Sequence, residues 1–186
     1  MAKDLKESKL FTPYQMGPVT LRNRTIRSAA FESMGKDFNP TQKLKDYHVS
    51  VAKGGVGMTT LAYASINRSG VSFNSQLWLR DEVVEPLKDI TDAIHAEGAA
   101  AGIQIGHCGN MTHWSTAGSF PVSASNGFNL YSPTLHRRMT HEEIRQTAKD
   151  FGKAVLTAHE AGFDSVEVHA GHGYLISQFL SPWTNR

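Results

Sequence analysis

The chain has one cysteine, Cys108, and no long apolar run. A single cysteine cannot form an internal disulfide, which is typical of proteins from a reducing compartment. No apolar run approaches the roughly 20 residues that a membrane-spanning helix needs. The start, Met1–Glu7, lacks the apolar core of a signal peptide. We therefore expect a cytoplasmic protein with no membrane partner.

Neither positive nor negative charge is in large excess. The formal net charge is +2, and the lysines and arginines are scattered along the chain, so the sequence predicts no nucleic-acid partner. The chain lacks the Gly-x-Gly-x-x-Gly dinucleotide fingerprint and the GxxxxGK[ST] phosphate loop, which argues against a Rossmann-type NAD domain. The chain has 186 residues, of which 40% are hydrophobic and 19% are charged. This length and composition are typical of one globular domain, over residues 1–186.

Strand and helix patterns alternate along this domain. A short hairpin is expected first, with Leu10–Pro13 and Val19–Leu21 flanking a Gly-Pro turn. Four strands follow, each with a helix after it, and capping residues and glycines mark the helix ends. The predicted strands are 25–30, 57–63, 99–105 and 165–169, and the predicted helices are 41–53, 81–97, 140–161 and 174–180. A long polar loop is expected between the third strand and Met139.

Four strand–helix units without a later hairpin require parallel strands joined by crossover helices. The pattern fits an α/β protein of two kinds. One is an open doubly wound sheet, and the other is the first four βα units of a (β/α)8 TIM barrel, which typically needs about 250 residues. Both place their chemistry at the carboxyl ends of the strands.

The fourth strand ends in the densest group of reactive side chains. Ser165, Glu167 and His169 share one face of it, and the valines between them are expected to face helices. An inward Glu167 is costly unless donors surround it, so we expect it to be paired. The alternative is a solvated glutamate at a sheet edge.

Two histidines and a tyrosine follow within six residues. His169 and His172 could bind a carbonyl or phenolate oxygen, ligate a metal, or act as acid and base. Tyr174 could donate a proton or simply pack at a helix start. The alternative for the histidines is a satisfied structural pair. His107, after the third strand, could join them as a metal site, although no carboxylate has an obvious matching position.

The third strand carries a glutamine, Gln104, in a small-residue setting. Its amide offers a donor and an acceptor, which suits the edge of a heterocycle of mixed polarity. Gly102 and Gly106 point the same way and leave room for a flat group. The alternative is a core glutamine bonded to backbone. Cys108 could be a reactive thiol, but a buried free cysteine is the commoner case.

Several segments together resemble the Old Yellow Enzyme family, the FMN-dependent NADH:flavin oxidoreductases and ene-reductases. They occur in the family's order and cover nearly the whole chain. The segments are Leu10–Pro13, Leu21–Glu32, Gly54–Gly57, Thr91–Gly98, Gln104–His107 and Ala161–Pro182, of which the last is the most specific. The resemblance implies a TIM barrel, of which this chain holds the N-terminal half.

The resemblance also implies roles for individual residues. The strand-one segment of Ser28, Ala29 and Ala30 would line the FMN ring, as would the backbone at Ala62. Gln104 would bond the pyrimidine edge of the flavin. The remaining roles concern the substrate. His169 and His172 would bind the carbonyl oxygen of the substrate, and Tyr174 would protonate the substrate.

The implied chemistry is a two-step exchange in which NADH or NADPH reduces FMN and the flavin N5 passes hydride to an activated alkene, such as an enone. Tyr174 then supplies the proton. Asn110 stands where an arginine is common in the family, and Ala30 and Phe31 replace residues that many members use to tune the flavin. The departures at Ala30 and Phe31 mean that the resemblance does not fix the redox potential or the substrate scope.

The family's chain continues through four more βα units, which hold the FMN phosphate. Four parallel strands alone have two open edges. The expectations are therefore a fragment of a longer protein, a half-barrel that forms a homo-oligomer through its sheet edges, or an inactive copy. The rival functions are a catalytically silent structural half-barrel and a metal-dependent hydrolase that uses His107, His169 and His172.

Overall fold

The structure is a computed structural model, and it describes residues 8–186. Met1–Glu7, the segment tested for a signal peptide, lies outside the described residues, so a single domain over 1–186 stays a prediction. Within residues 8–186 no helix is both long and apolar enough to cross a membrane.

A short antiparallel hairpin opens the described chain, as expected, but its first strand lies later than predicted. Strand β1 is Tyr14–Met16 and β2 is Val19–Leu21, with Met16 opposite Val19. The two-residue turn explains the shift, because its strands must begin directly beside it, and Gly17 adopts a φ of 56° there. The first two residues of the segment predicted as the strand, Leu10–Pro13, lie in a 3₁₀ turn, Lys9–Phe11, and the other two have no regular structure.

The central sheet is parallel, as the alternating pattern predicts. Its strand order is β10–β6–β4–β3, and a short β5 also pairs with β4. The strands are β3 Ile26–Arg27, β4 Met58–Ser65, β5 Leu77–Trp78, β6 Ala100–Gly106 and β10 Ser165–Val168. Every residue of β4 and β6 is buried, so these two strands are the centre of the core.

Three long helices pack against this sheet, and the capping residues predict their starts well. The helices are α1 Gln42–Lys53, α2 Val84–Ala96 and α4 His141–Glu160. Thr41 caps α1, and Thr140 forms a reciprocal capping box with Glu143 at the start of α4. A 3₁₀ turn at Asp81–Val83 precedes α2, so the α-helix proper begins three residues after the predicted start.

The segment after β6 is not a plain loop, and the expectation of no second hairpin was wrong. It holds a short helix and a three-stranded sheet of order β7–β9–β8, in which β8 and β9 form an antiparallel hairpin. The elements are α3 Trp114–Ala117, β7 Val122–Ser123, β8 Gly127–Asn129 and β9 Thr134–Arg138. Strands of two to five residues are too short to show a hydrophobic period, which is why they escaped the pattern.

The sequence period of α4 predicts one apolar face with Ile144, Ala148, Phe151, Val155 and Ala158. Ala158 is buried and Phe151 packs against the core as predicted, whereas Val155 is 40% exposed; the other buried residues are Ala154 and Thr157. Small side chains let α4 approach the sheet closely. On β10, Val166 packs against the core as expected, but Val168 is 50% exposed. Within residues 8–186, no strand pairs with the outer edge of β10.

The hairpin covers the amino end of the central sheet. Leu21 of β2 packs with Met58 and Ala100, the first residues of β4 and β6. The last helix, α5 Leu175–Leu180, lies at the opposite, carboxyl end of the sheet. It packs against Val122 of β7 and against Met139, directly after β9. Gln104, His169, His172 and Tyr174 lie toward this carboxyl end, whereas Ser165 is the first residue of β10 and lies near Met58 at the amino end.

Candidate functional site

Strand register places the predicted residues of three strands at one level. Glu167 of β10 lies directly opposite Gln104 of β6. On the other side of β6, Leu61 of β4 pairs with Ile103, and Ala64 pairs with Ile105. The intervening Ala62 and Tyr63 form a β-bulge, one residue longer than the partner strand, and therefore stand beside Gln104.

Gln104 and Glu167 form a direct pair. The Gln104 Nε2 amide donates to Glu167 Oε1 over 2.6 Å, so Glu167 has the expected donor, but it is exposed on the edge strand β10, as the alternative of a solvated glutamate states. Within residues 8–186 the Gln104 Oε1 atom accepts no hydrogen bond. The glutamine is thus held by one end of its amide, and its carbonyl oxygen is available to a ligand.

The two histidines bond to each other. His172 Nδ1 lies 3.1 Å from His169 Nε2, so one ring must donate and the other accept. Burial lowers the pKa of His169, repulsion from His172 lowers it further, and Glu167 opposes both effects. Two protonated rings cannot keep this bond. An oxygen ligand held by both rings would replace the bond between them.

His172 is exposed and lies in the left-handed backbone region, with a φ of 55°. His169 is 8% exposed, and its backbone N–H donates to the carbonyl of Ile105 over 2.8 Å. The fixed partner of the pair is therefore His169. A ligand that separates the rings would displace His172, because that side chain has solvent beside it.

Tyr174 lies against this pair at the start of α5. Its ring centroid is 5.0 Å from that of His169 and 5.1 Å from that of Tyr63. Within the described chain its hydroxyl makes no hydrogen bond, so the proton is free to be donated to a ligand. Tyr174 also lines a cavity of about 530 Å³ whose other walls include Phe73, Met111 and Tyr131.

The strand-one segment lies beside β4. Ser28 and Ala30 are exposed and Ala29 is half-buried, so this segment presents small side chains toward open space. The Arg27 guanidinium donates to the carbonyl of Ala30 over 3.2 Å and holds the segment in place. Phe31, which follows, stacks on Phe73 with ring centroids 5.0 Å apart.

His107 and Cys108 are not brought into this group. His107 is buried, accepts from the backbone N–H of Gly109 at Nδ1 over 2.9 Å, and has Nε2 3.3 Å from Ser69 Oγ. Both ring nitrogens are thus occupied away from His169. Among residues 8–186 no three His, Cys, Asp or Glu side chains are arranged to hold a metal ion, so the proposed histidine set lacks its geometry. Burial raises the pKa of Cys108 to about 12, which argues against a reactive thiol.

We expect His107 to make the fold acid-sensitive. Burial lowers its pKa to about 4 from an ordinary value of 6.5. Because the pKa of His107 is lower in the folded protein than in the unfolded chain, the neutral imidazole does not reduce the free energy of unfolding above pH 6.5. The free energy of unfolding then decreases as the pH falls from 6.5 to 4. Replacing His107→Gln should therefore reduce the loss of unfolding free energy between pH 7.5 and 5 by about 2 kcal/mol.

Urea unfolding at the two pH values measures this difference. His141→Gln, at an exposed position on α4, is the matched control and should keep the wild-type pH dependence. Equal pH dependence in the His107→Gln variant and the wild type would show that burial does not hold this imidazole neutral.

Two residues of the site were missed by sequence reasoning. Tyr63 is 3% exposed, and its hydroxyl is hydrogen-bonded to Ser72 Oγ. Burial raises the pKa of Tyr63, so this side chain packs in the site as a neutral phenol and does not act as an acid. Glu32 is buried and accepts from the backbone N–H of Ala62. The available signals were an aromatic at a strand end and a lone acid after Ala29-Ala30-Phe31.

A sequence model of the NADH:flavin oxidoreductase / NADH oxidase family matches residues 9–186. The chain belongs to this family. The match covers almost every described residue, including the segment from β10 into α5 that carries the paired histidines and the tyrosine. It agrees with the resemblance to Old Yellow Enzymes that the motifs suggest.

Curated relatives of the oxidoreductase family are similar along the same length. The chain is 36% identical over 177 residues to a 4,4'-dithiodibutanoate disulfide reductase of Rhodococcus erythropolis, covering 95% of this chain and 44% of that protein. It is 38% identical over 183 residues to an NADPH dehydrogenase of Listeria welshimeri, covering 96% and 53%. The chain therefore spans about half the length of these relatives.

Solved structures of Old Yellow Enzymes share the fold. The Zymomonas mobilis homologue aligns with a TM-score of 0.88 at 27% identity, over 96% of this chain and 53% of that one. Morphinone reductase in complex with tetrahydroNAD aligns with a TM-score of 0.89 at 27% identity, over 96% and 54%. The choice between an open sheet and barrel units is thereby decided: the fold is a partial (β/α)8 barrel.

Proposed function

We propose that this chain supplies the ring-binding and substrate-binding half of an FMN-dependent NAD(P)H oxidoreductase that reduces activated alkenes. The observation that carries the proposal is the cluster of His169, His172 and Tyr174, in which Tyr174 also lines a cavity. An enone of small size matches a cavity of about 530 Å³. Its carbonyl oxygen needs donors, its α-carbon needs a proton, and this cluster offers both.

The residues of the chain fit the ring portion of FMN. The free Oε1 of Gln104 is an acceptor at the level of the β4 bulge, where the imide N–H of a flavin pyrimidine would need one. Small residues on both flanks, Ala29, Ala30 and Ala62, leave room for a flat three-ring system. When bound, FMN would supply the hydride transfer that no side chain can perform.

The chain's own residues would divide the remaining work. The two histidines would donate to the substrate oxygen in place of their mutual hydrogen bond, and the lowered pKa of His169 favours donation from a neutral ring. Tyr174 would transfer its phenol proton to the substrate carbon from the cavity wall. Phe73 would contact the substrate from the same cavity, and Tyr63 would hold the Tyr174 ring from behind.

The names of the relatives support part of this assignment. One relative is an NADPH dehydrogenase, and morphinone reductase was solved with a nicotinamide analogue, so NADPH or NADH is the proposed reductant. Another relative is a disulfide reductase, which makes a disulfide the competing substrate class. A cytoplasmic location stays a prediction.

Flavin uptake tests the proposal directly. After incubation with FMN and removal of free ligand, the chain should retain a yellow chromophore, and Gln104→Leu should weaken FMN binding by about tenfold, the equivalent of one lost hydrogen bond to the ring. Gln146→Leu, at an exposed position of α4, is the matched control. A colourless wild-type chain would contradict the proposal.

One observation favours the silent half-barrel as a second candidate. The outer edge of β10 is unpaired among residues 8–186, and Val168 beside it and Leu156 on α4 are 50% and 62% exposed. Such an edge is a template for pairing with another chain. A colourless chain that elutes as a dimer in gel filtration would favour this candidate, and a yellow monomer without dye-binding apolar surface would contradict it.

A further inference from the structure

A buried ionic cluster lies behind the β4 bulge. The side chain of Glu32 is 4% exposed, and its Oε1 pairs with the Arg27 guanidinium and lies 3.2 Å from His48 Nε2. The other nitrogen of His48 is 2.8 Å from Thr59 Oγ1 of β4. Three elements, β3, α1 and β4, therefore meet at one carboxylate.

The cluster reaches the backbone of both segments that flank the candidate ring site. Glu32 Oε2 accepts from the backbone N–H of Ala62 over 3.1 Å. Arg27 donates to the carbonyls of Thr60, over 2.6 Å, and of Ala30, over 3.2 Å. The same ion pair thus sets the distance between the strand-one segment and the end of β4.

The bulge explains why a carboxylate is needed here. Ala62 and Tyr63 lie between the ladder pairs of Leu61 and Ala64, where the register shifts. A bulge takes a backbone N–H out of the ladder, and a buried N–H without a partner is costly. Glu32 provides that partner. Replacing a buried ion pair by apolar residues is often neutral or stabilising, so stability alone does not account for this pair.

We propose that Glu32 is a positioning residue: it holds the β4 bulge in the form that presents Ala62 to the flavin ring and Tyr63 to His169 and Tyr174. The part that concerns flavin rests on the proposed function. Because the Ala62 N–H is committed to Glu32, Ala62 contacts the ring through its methyl group or its carbonyl and not as a donor. Tyr63, 5.6 Å from His169 between ring centroids, then aligns the substrate end.

The test uses two variants of the chain. Glu32→Gln keeps the shape and removes the charge. The double variant Arg27→Met/Glu32→Leu removes both charges, so no buried ion is left unpaired and the fold is preserved. Asp89→Asn is the control, because it breaks an exposed ion pair between Lys45 of α1 and Asp89 of α2, away from the cluster.

Two readouts are measured. In the flavin-free chain, amide hydrogen exchange followed by NMR should be at least about tenfold faster at Ala62 in the double variant, while the ladder amides of Leu61 and Ile103 keep the wild-type rates. In a fluorescence titration with FMN, the Kd should rise about tenfold in both variants and stay unchanged in the control.

The outcomes separate this inference from the proposed function. Unchanged exchange at Ala62 in the double variant overturns the positioning role, whether or not FMN binds. Faster exchange at Ala62 with an unchanged Kd for FMN overturns the claim that Glu32 positions Ala62 for flavin binding. A wild-type chain that binds no FMN overturns the proposed function, and the exchange result alone then decides the role of Glu32 in the bulge.

Discussion

Replacing Tyr174→Phe should slow alkene reduction by the FMN-loaded protein by about 10²- to 10⁴-fold, the usual contribution of a general acid. The reduction of the flavin by NADPH should stay within about twofold of wild type, because that half-reaction needs no proton from Tyr174. The substitution removes only the hydroxyl, which makes no hydrogen bond within the described chain. Packing of the ring against His169 and Tyr63 is retained.

Stopped-flow spectroscopy measures the two half-reactions separately through the flavin absorbance. Tyr14→Phe, an exposed tyrosine of the amino-terminal hairpin, is the matched control and should leave both rates unchanged. An equal loss in both half-reactions would show that Tyr174 shapes the site without donating the proton. An unchanged alkene rate would indicate that solvent supplies the proton.

The sequence predicts the central elements well because their signals are local. Thr41, Thr140 and the terminal glycines define helix ends within one turn of chain. Gln104 lies in the buried strand β6, and His169, His172 and Tyr174 follow its parallel neighbour β10, so topology alone brings them to one end of the sheet. The resemblance to a flavin-binding family then gives each of them a role.

The site residues that the sequence did not predict are those whose roles depend on contacts with residues distant in sequence. Glu32 matters because of Ala62, which lies 30 positions away, and Tyr63 matters because of His169. No local period marks such a contact. The β8–β9 hairpin escaped for a different reason, since its strands carry mixed polar residues on an exposed surface. On α4 the predicted face is correct for Phe151 and Ala158 but wrong for Val155, which is exposed.

A second large effect is expected at Gln178, the residue that joins α5 to the end of β6. It is 2% exposed, and its Nε2 donates to the carbonyls of Cys108, over 3.1 Å, and Gly173, over 2.7 Å. Its Oε1 accepts from Ser123 Oγ over 2.9 Å. One side chain thus satisfies groups from three separate segments.

Gln178→Leu should lower the free energy of unfolding by about 3–5 kcal/mol, because several buried donors and acceptors lose their partner at about 1–3 kcal/mol each. Leucine has nearly the same volume, so a cavity does not account for the loss. Urea denaturation measures it, and Gln146→Leu on the exposed face of α4 should cost less than about 0.5 kcal/mol. A loss below about 1 kcal/mol at Gln178 would show that water replaces the amide.

The same substitution bears on the site, because Gly173 lies between His172 and Tyr174. Its carbonyl is anchored only to Gln178 within the described chain, and its φ of 70° and the 55° of His172 place both residues in the left-handed region. Non-glycine residues rarely adopt that conformation without support. Loss of the anchor should therefore loosen the turn that sets the spacing of His172 and Tyr174, and the NMR signals of these two rings should broaden in the Gln178→Leu variant before the fold is lost.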